Sequence, residues 1–307
     1  QTKMTEKVFE VPQGRGRGKS LFVKQVAYTV SLAYNRLLFE QWNRILPHRI
    51  CLGQLPSKKL LADVKRCNDL GAVVSFVEAF ELQPVVPLIL AERAEGVQHR
   101  VFQEEDFCGM DIRQLAEGTQ WLNDYLTANP AKVAYVHCKA GRGRSVAAVM
   151  AYLVRFVKMD LYSAFKQIFI YRPHISTDRE KMEDMHKFFL RYVVETSLSD
   201  QEQEEWVDIG TTLFLKLVWA FKREWFQRHK LQDKHTRRKE NHNGKRGNFL
   251  RNFKEKIGRG IEVHKALLEE SKERLAEAED AYEAHYRLIV KGAELNRATP
   301  EPDRGSR

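Results

Sequence analysis

The chain has 307 residues and a formal net charge of +10, with 43% hydrophobic and 30% charged residues, the proportions of a folded protein with polar additions. It contains no apolar run of the roughly 18 to 20 residues needed to span a bilayer with confidence. Its four cysteines (Cys51, Cys67, Cys108, Cys138) form no CxxC pair and no zinc-site spacing, which argues against a disulfide framework or structural metal and fits a reducing compartment.

Residues 1–44 read as a basic, glycine-punctuated arm followed by a helix. The chain starts at Gln1 and not at Met, which leaves open a removed targeting peptide or an arbitrary start. PQGRGRGKS at 12–20 suggests a nucleotide-binding loop, but Gln13 stands where the first glycine is required and no apolar strand precedes it, so a flexible basic arm is expected. LFVKQVAYTVSLAYNRLLFEQW at 21–42 is interrupted by Lys24, Gln25, Asn35 and Arg36, the pattern of an amphipathic helix docked on its own protein or lying in a membrane interface.

Residues 45–198 read as a compact α/β domain. Residues 50–52, 72–77 (AVVSFV) and 133–136 (VAYV) are short apolar, β-branched runs expected as strands. Helical periodicity marks 58–71, 113–130, 145–158, 160–173 and 178–195, with 145–158 apolar nearly all round, as a central helix should be. Strands alternating with helices predict a mostly parallel sheet flanked by helices.

Residues 199–307 change character. Trp206, Leu213, Leu217, Phe221 and Trp225 predict one stripe on a long amphipathic helix. Residues 222–259 follow with 14 Lys plus Arg against 4 Asp plus Glu, a surplus equal to the whole formal charge of +10. Trp225, Phe226, Phe249 and Phe253 are interleaved there, a composition that suits a solvated tail, RNA or an anionic membrane. His229, His235 and His242 fall at no metal-ligand spacing. Ile261, Leu268, Leu275, Tyr282 and Ile289 recur every seven residues, but the companion positions His264, Ser271, Ala278 and His285 make a poor second coiled-coil seam, so one stripe against a partner surface is expected.

The chemistry concentrates in HCKAGRGRS at 137–145, between an apolar strand and the central helix. Successive N–H groups and a helix N-terminus there form an anion-binding nest, and Gly141 and Gly143 permit its backbone angles. Cys138 stands at the mouth of the nest, where oriented N–H groups and Arg144 favour its thiolate. A thiolate in a phosphate cradle is a nucleophile toward phosphorus, and Arg144 can fork onto the equatorial oxygens. Lys139 and Arg142 are expected as rim charges suited to anionic lipid or phosphoinositide head groups.

Cysteine, five residues, arginine, then serine is the signature of the cysteine-dependent protein tyrosine phosphatase superfamily, and HCKAGRGRS most resembles the mitochondrial dual-specificity type that acts on phosphatidylglycerophosphate. HRICLGQLPSKK at 48–59, DFCG at 106–109 and YRPHIS at 171–176 resemble further family segments, so the likeness covers roughly 45–195. It implies the dual-specificity phosphatase fold and these roles: Cys138 attacks phosphorus, residues 139–144 (Lys139, Ala140, Gly141, Arg142, Gly143, Arg144) hold the phosphoryl oxygens, Asp106 is general acid and base, Ser145 donates to the departing sulfur, and His137 braces the loop, with no metal required. Glu104, Glu105 and Asp111 crowd the acid, and the alternative to Asp106 is a solvated acidic loop with the acid at Asp111 or absent. The chain is shorter than the family pattern after DFCG and lacks its proline, and Gly143 replaces a common serine, a change expected only to loosen the loop. The implied substrate is a phosphorylated lipid or other phosphate monoester, at the mitochondrial matrix or inner membrane. A reading of another class is a phosphatase-fold subunit or assembly factor of a large mitochondrial complex (respiratory complex or ribosome), joined through 199–307, with activity retained or vestigial.

Overall fold

A computed structural model describes residues 21–106, 109–195, 198–240 and 269–291, except the side chains of 21–27 and 229–240. The chain divides into two compact units, Gln1–Val193 and Val194–Arg307. The 12–20 arm, Cys108, the greater part of the basic stretch with Phe249 and Phe253, Ile261, His264, Leu268 and the C-terminal tail lie outside the described residues.

The first unit is built on a five-stranded sheet in the order β1-β2-β5-β3-β4, formed by β1 (Trp42–Ile45), β2 (Ile50–Gly53), β3 (Leu70–Val77), β4 (Gln98–Gln103) and β5 (Val133–His137). β1 pairs antiparallel with β2, and the other pairings are parallel. Placing β5 between β2 and β3 buries all five of its residues, which is why VAYVH carries no polar alternation. Tyr135 and Val133 join Cys51, Val73 and Val97 under α2 (Lys58–Cys67), whose Leu60, Leu61 and Val64 complete that core. On the other face α5 (Ile112–Ala128) approaches so closely that a Cβ on Gly118 would lie 2.7 Å from the Phe76 ring.

Local chemistry sets the ends. Ser57 caps α2 by accepting from Leu60 N–H at 3.2 Å, and Asp160 caps α7 (Leu161–Tyr171) by accepting from Ser163 N–H at 2.8 Å. α6 (Arg144–Arg155) has ten buried residues and packs among α5, α7 and α8 (Arg179–Phe189). α1 (Leu21–Leu38) ends at Leu38, and Trp42 to Ile45 become the antiparallel edge strand, although the sequence pattern carried the helix on to Trp42. Two short helices, α3 (Ala79–Leu82) and α4 (Val86–Ala94), lead to β4. None of the described helices is long and apolar enough to cross a membrane.

In the second unit, α9 (Asp200–Glu240) and the helical residues 269–291 run antiparallel. Trp206 meets His285 at 4.4 Å, Phe214 meets Tyr282 at 5.8 Å, and Ser271 Oγ donates to Gln227 Oε1 at 2.9 Å. The stripe of Tyr282 and Ile289 therefore faces α9 of the same chain, and the polar companions Ser271 and His285 are buried with it. The α9 seam is centred on Val207, Phe214, Leu217 and Val218, with Leu213 and Phe221 only half-buried.

Candidate active site

β5 delivers Cys138 at its end, and α6 begins six residues later at Arg144. The intervening loop turns through Gly141 at φ +67°, where a Cβ would lie 2.5 Å from the backbone of Gly53, so both the angle and the close approach demand glycine. Leu55 N–H donates to Lys139 O at 3.0 Å and Ser176 N–H to Arg142 O at 2.8 Å, so the loop is gripped from both sides.

Arg172 is fully buried under it, its Nε donating to Gly141 O at 2.6 Å and its Nη atoms to Ala140 O at 3.3 Å and Asn43 Oδ1 at 2.5 Å. Desolvation pulls its pKa down to about 10, which still leaves it charged at neutral pH.

Cys138 is 3% exposed. Burial alone would raise the thiol pKa, but the Arg144 guanidinium and hydrogen bonds from Ser145 outweigh it, and the net shift is downward. Ser145 Oγ lies 3.2 Å from the sulfur. Arg144 is buried and held in a fork: Nη1 and Nη2 reach Glu81 Oε2 and Oε1 at 2.5 and 3.1 Å, and Nη1 also donates to Glu104 O at 2.9 Å. Arg144 Nε has no hydrogen-bond partner among the described residues.

Asp106 meets two cations. Its Oδ1 lies 3.1 Å from Arg144 Nη2, and its Oδ2 accepts from Lys139 Nζ. Burial pushes its pKa up, but Arg144, Lys139 and Lys181 pull harder and keep it below the usual carboxylate value. Its N–H donates to Glu78 Oε1 at 3.2 Å, and Met110 N–H, beyond the undescribed Phe107 and Cys108, donates to Asp184 Oδ2 of α8 at 2.6 Å. Asp111, the alternative acid, is occupied as the cap of α5, accepting from Arg113 N–H at 2.8 Å and Gln114 N–H at 3.4 Å.

His137 is buried and held near pKa 3 by desolvation, so the ring is neutral. Its Nδ1 meets Cys138 O at 3.2 Å, and its Nε2 meets Ser75 Oγ at 2.7 Å, which in turn meets His99 Nε2 at 2.8 Å. Lys139 is not the rim charge expected, and Arg142 is half-buried and engaged. Lys139 is 3% exposed and tied to Asp106. Arg142 Nε donates to His174 O at 2.7 Å while its guanidinium lies 4.7 Å over Phe39, because the turn after α7 and the end of α1 close over the loop.

Sequence reasoning missed Glu78, Glu81, Ser75, His99, Arg172, Lys181 and Asp184. A usable signal existed for Glu81, the lone charge in the mostly apolar run AFELQPVVPLIL, since a buried charge demands a partner. The described residues contain no cluster with the donors for a metal ion.

A buried thiol with its pKa drawn downward, between a parallel strand and a buried helix, with an arginine six residues on and a carboxylate against that arginine, defines the class: a protein-tyrosine-phosphatase-like domain. Residues 71–189 match the model of the dual specificity phosphatase catalytic domain. The phosphatidylglycerophosphate phosphatase PTPMT1 of Arabidopsis thaliana is 29% identical over 160 residues, 51% of this chain and 45% of that protein. The phosphatidylglycerophosphatase and protein-tyrosine phosphatase 1 of Mus musculus is 27% identical over 175 residues, 56% of this chain and 90% of that one. The chain thus spans less than half the length of the plant relative but most of the mouse one. A crystal structure of PTPMT1 in complex with PI(5)P superposes with a TM-score of 0.46 at 24% identity, over 50% of this chain and 99% of that one.

Proposed function

We propose that the protein hydrolyses a phosphate monoester through a phosphocysteine, with a lipid phosphate of the phosphatidylglycerophosphate type as substrate. The observation that carries the chemistry is the thiol of Cys138, held below its usual pKa beside Arg144 and Ser145. The relatives named as phosphatidylglycerophosphatases support the lipid substrate.

In the first step the Cys138 sulfur bonds to phosphorus, the bond from phosphorus to the leaving alcohol breaks, and Asp106 gives that oxygen a proton. The loop N–H groups and the unpartnered Arg144 Nε take the phosphoryl oxygens. Asp106 is held as carboxylate by the very cations those oxygens need. A dianionic phosphoryl group that draws Arg144 and Lys139 onto itself therefore raises the Asp106 pKa and readies it as an acid. In the second step water bonds to phosphorus, its proton passes to Asp106, and the sulfur leaves while accepting from Ser145 Oγ.

A matrix or inner-membrane location follows from the same substrate. The accessory-subunit role draws no support from the family match or the relatives. The deciding experiment is phosphate release from phosphatidylglycerophosphate in detergent micelles. Turnover by the wild type and none by Cys138→Ser supports the reading, and a wild type inert toward lipid and aryl phosphates alike refutes it.

A further inference from the structure

Among the described residues, the buried lysines and arginines are Lys139, Arg144, Arg172 and Lys181, and all of them converge on the 138–144 loop. Three are firmly engaged: Arg144 with Glu81 and Asp106, Lys139 with Asp106, and Arg172 with loop carbonyls. Lys181, on the first turn of α8, differs. Among the described residues its Nζ hydrogen-bonds only the Asp178 carboxylate, at 3.2 and 3.3 Å, and that side chain is 40% exposed. A 5% exposed ammonium facing a partly hydrated carboxylate at long range is poorly compensated and open to a better anion.

Gly143 is the reason Lys181 sits where it does. A Cβ there would stand 3.2 Å from Lys181 Cε and 4.0 Å from Nζ, so the lysine stem occupies the space a side chain would fill. The glycine is thus an opening through which a cation from α8 flanks the cradle, and not a loosened hinge. Lys181 lies on the side-chain side of the loop backbone, and its charge also acts on Asp106, the residue assigned to the leaving oxygen. It therefore flanks the cradle at Gly143, within electrostatic reach of the carboxylate assigned to the leaving oxygen.

We propose that Lys181 is a specificity determinant that binds a second phosphate group in the leaving portion of the substrate, selecting phosphomonoesters that carry a phosphodiester a short carbon chain away. This rests on the phosphatase reading above. On binding, the ammonium exchanges Asp178, which remains solvated, for the phosphodiester oxygen.

The test compares kcat/KM on two lipids in the same detergent micelles: phosphatidylglycerophosphate, with a monoester and a diester phosphate, and phosphatidic acid, with the monoester alone. The wild type is expected to favour the former at least about tenfold, the worth of one charge-assisted hydrogen bond. Lys181→Met lowers that ratio about tenfold, chiefly through KM, and Lys181→Arg retains most of it. Thermal unfolding of both variants shows whether the fold is kept. A wild type without preference, a Lys181→Met ratio equal to wild type, or equal losses on both lipids overturns the proposal. A wild type that turns over neither lipid nor 4-nitrophenyl phosphate overturns the phosphatase reading and this assignment with it, a failure visible before any Lys181 variant is measured.

Discussion

Glu104 offers a measurement of how the site handles buried charge. Desolvation, aided by Asp111 and Asp184 and opposed by the Asp111 N–H and Arg144, lifts its pKa from 4.5 to about 8. Its Oε2 accepts from Asp111 N–H at 3.3 Å, while Oε1 has no hydrogen-bond partner among the described residues. A carboxyl whose folded pKa is raised contributes its full stability below the unfolded pKa and loses it as pH climbs through the folded one. The wild type should therefore weaken progressively between about pH 4.5 and 8. At 1.36 kcal/mol per unit, the wild type at pH 7 has lost about 3 kcal/mol relative to a permanently neutral side chain. Glu104→Gln keeps an acceptor for Asp111 N–H and cannot ionise. Urea unfolding followed by tryptophan fluorescence should find the variant close to wild type at pH 4 and more stable by up to about 3 kcal/mol at pH 7. Parallel stability curves for the two proteins from pH 4 to 9 would refute this account of Glu104.

Ser145→Ala removes a hydrogen bond that favours the thiolate, so the midpoint of Cys138 alkylation by iodoacetamide should move up by about one pH unit. Lys139→Met removes one of the cations that hold Asp106 ionised. If Asp106 acts as the proposed acid, it must be protonated, so the falling high-pH limb of kcat/KM, which reports the free enzyme, should shift upward by about one unit. Gly141→Ala forces a Cβ into the backbone of Gly53 at a positive φ, and should cost at least about 2 kcal/mol in unfolding experiments together with most of the turnover.

What the sequence made legible was local. The β5-loop-α6 unit could be read because an apolar run, a glycine-bearing loop and an all-apolar helix are contiguous, and the interval from Cys138 to Arg144 is a spacing along one segment. The supports were not legible because they are bonds across the fold. Glu81 grips Arg144 across 63 residues, and Arg172 bonds Gly141 across 31. β4 escaped because QHRVFQ is an edge strand, exposed or half-buried except at Phe102, and so lacks the β-branched signature of its neighbour. Lys139 was misplaced on the rim because composition cannot tell a solvated cation from one buried against Asp106 and Tyr28, while Arg142 stays half-buried and tied to α1 and the turn after α7.

The boundary drawn by family resemblance is not a boundary of folding. The matched segment begins at residue 71, yet β2, the neighbour of β5, precedes it, as do Asn43 against Arg172, Leu55 against Lys139, and Tyr28, 5.9 Å beneath the Lys139 ammonium. A fragment cut to the matched segment would keep Cys138 and Arg144 but expose one long side of β5 and strip the loop of the contacts that Asn43 and Leu55 supply. Anyone wishing to isolate the catalytic half for crystallography or screening should cut upstream of α1, and treat that helix as part of the wall of the site.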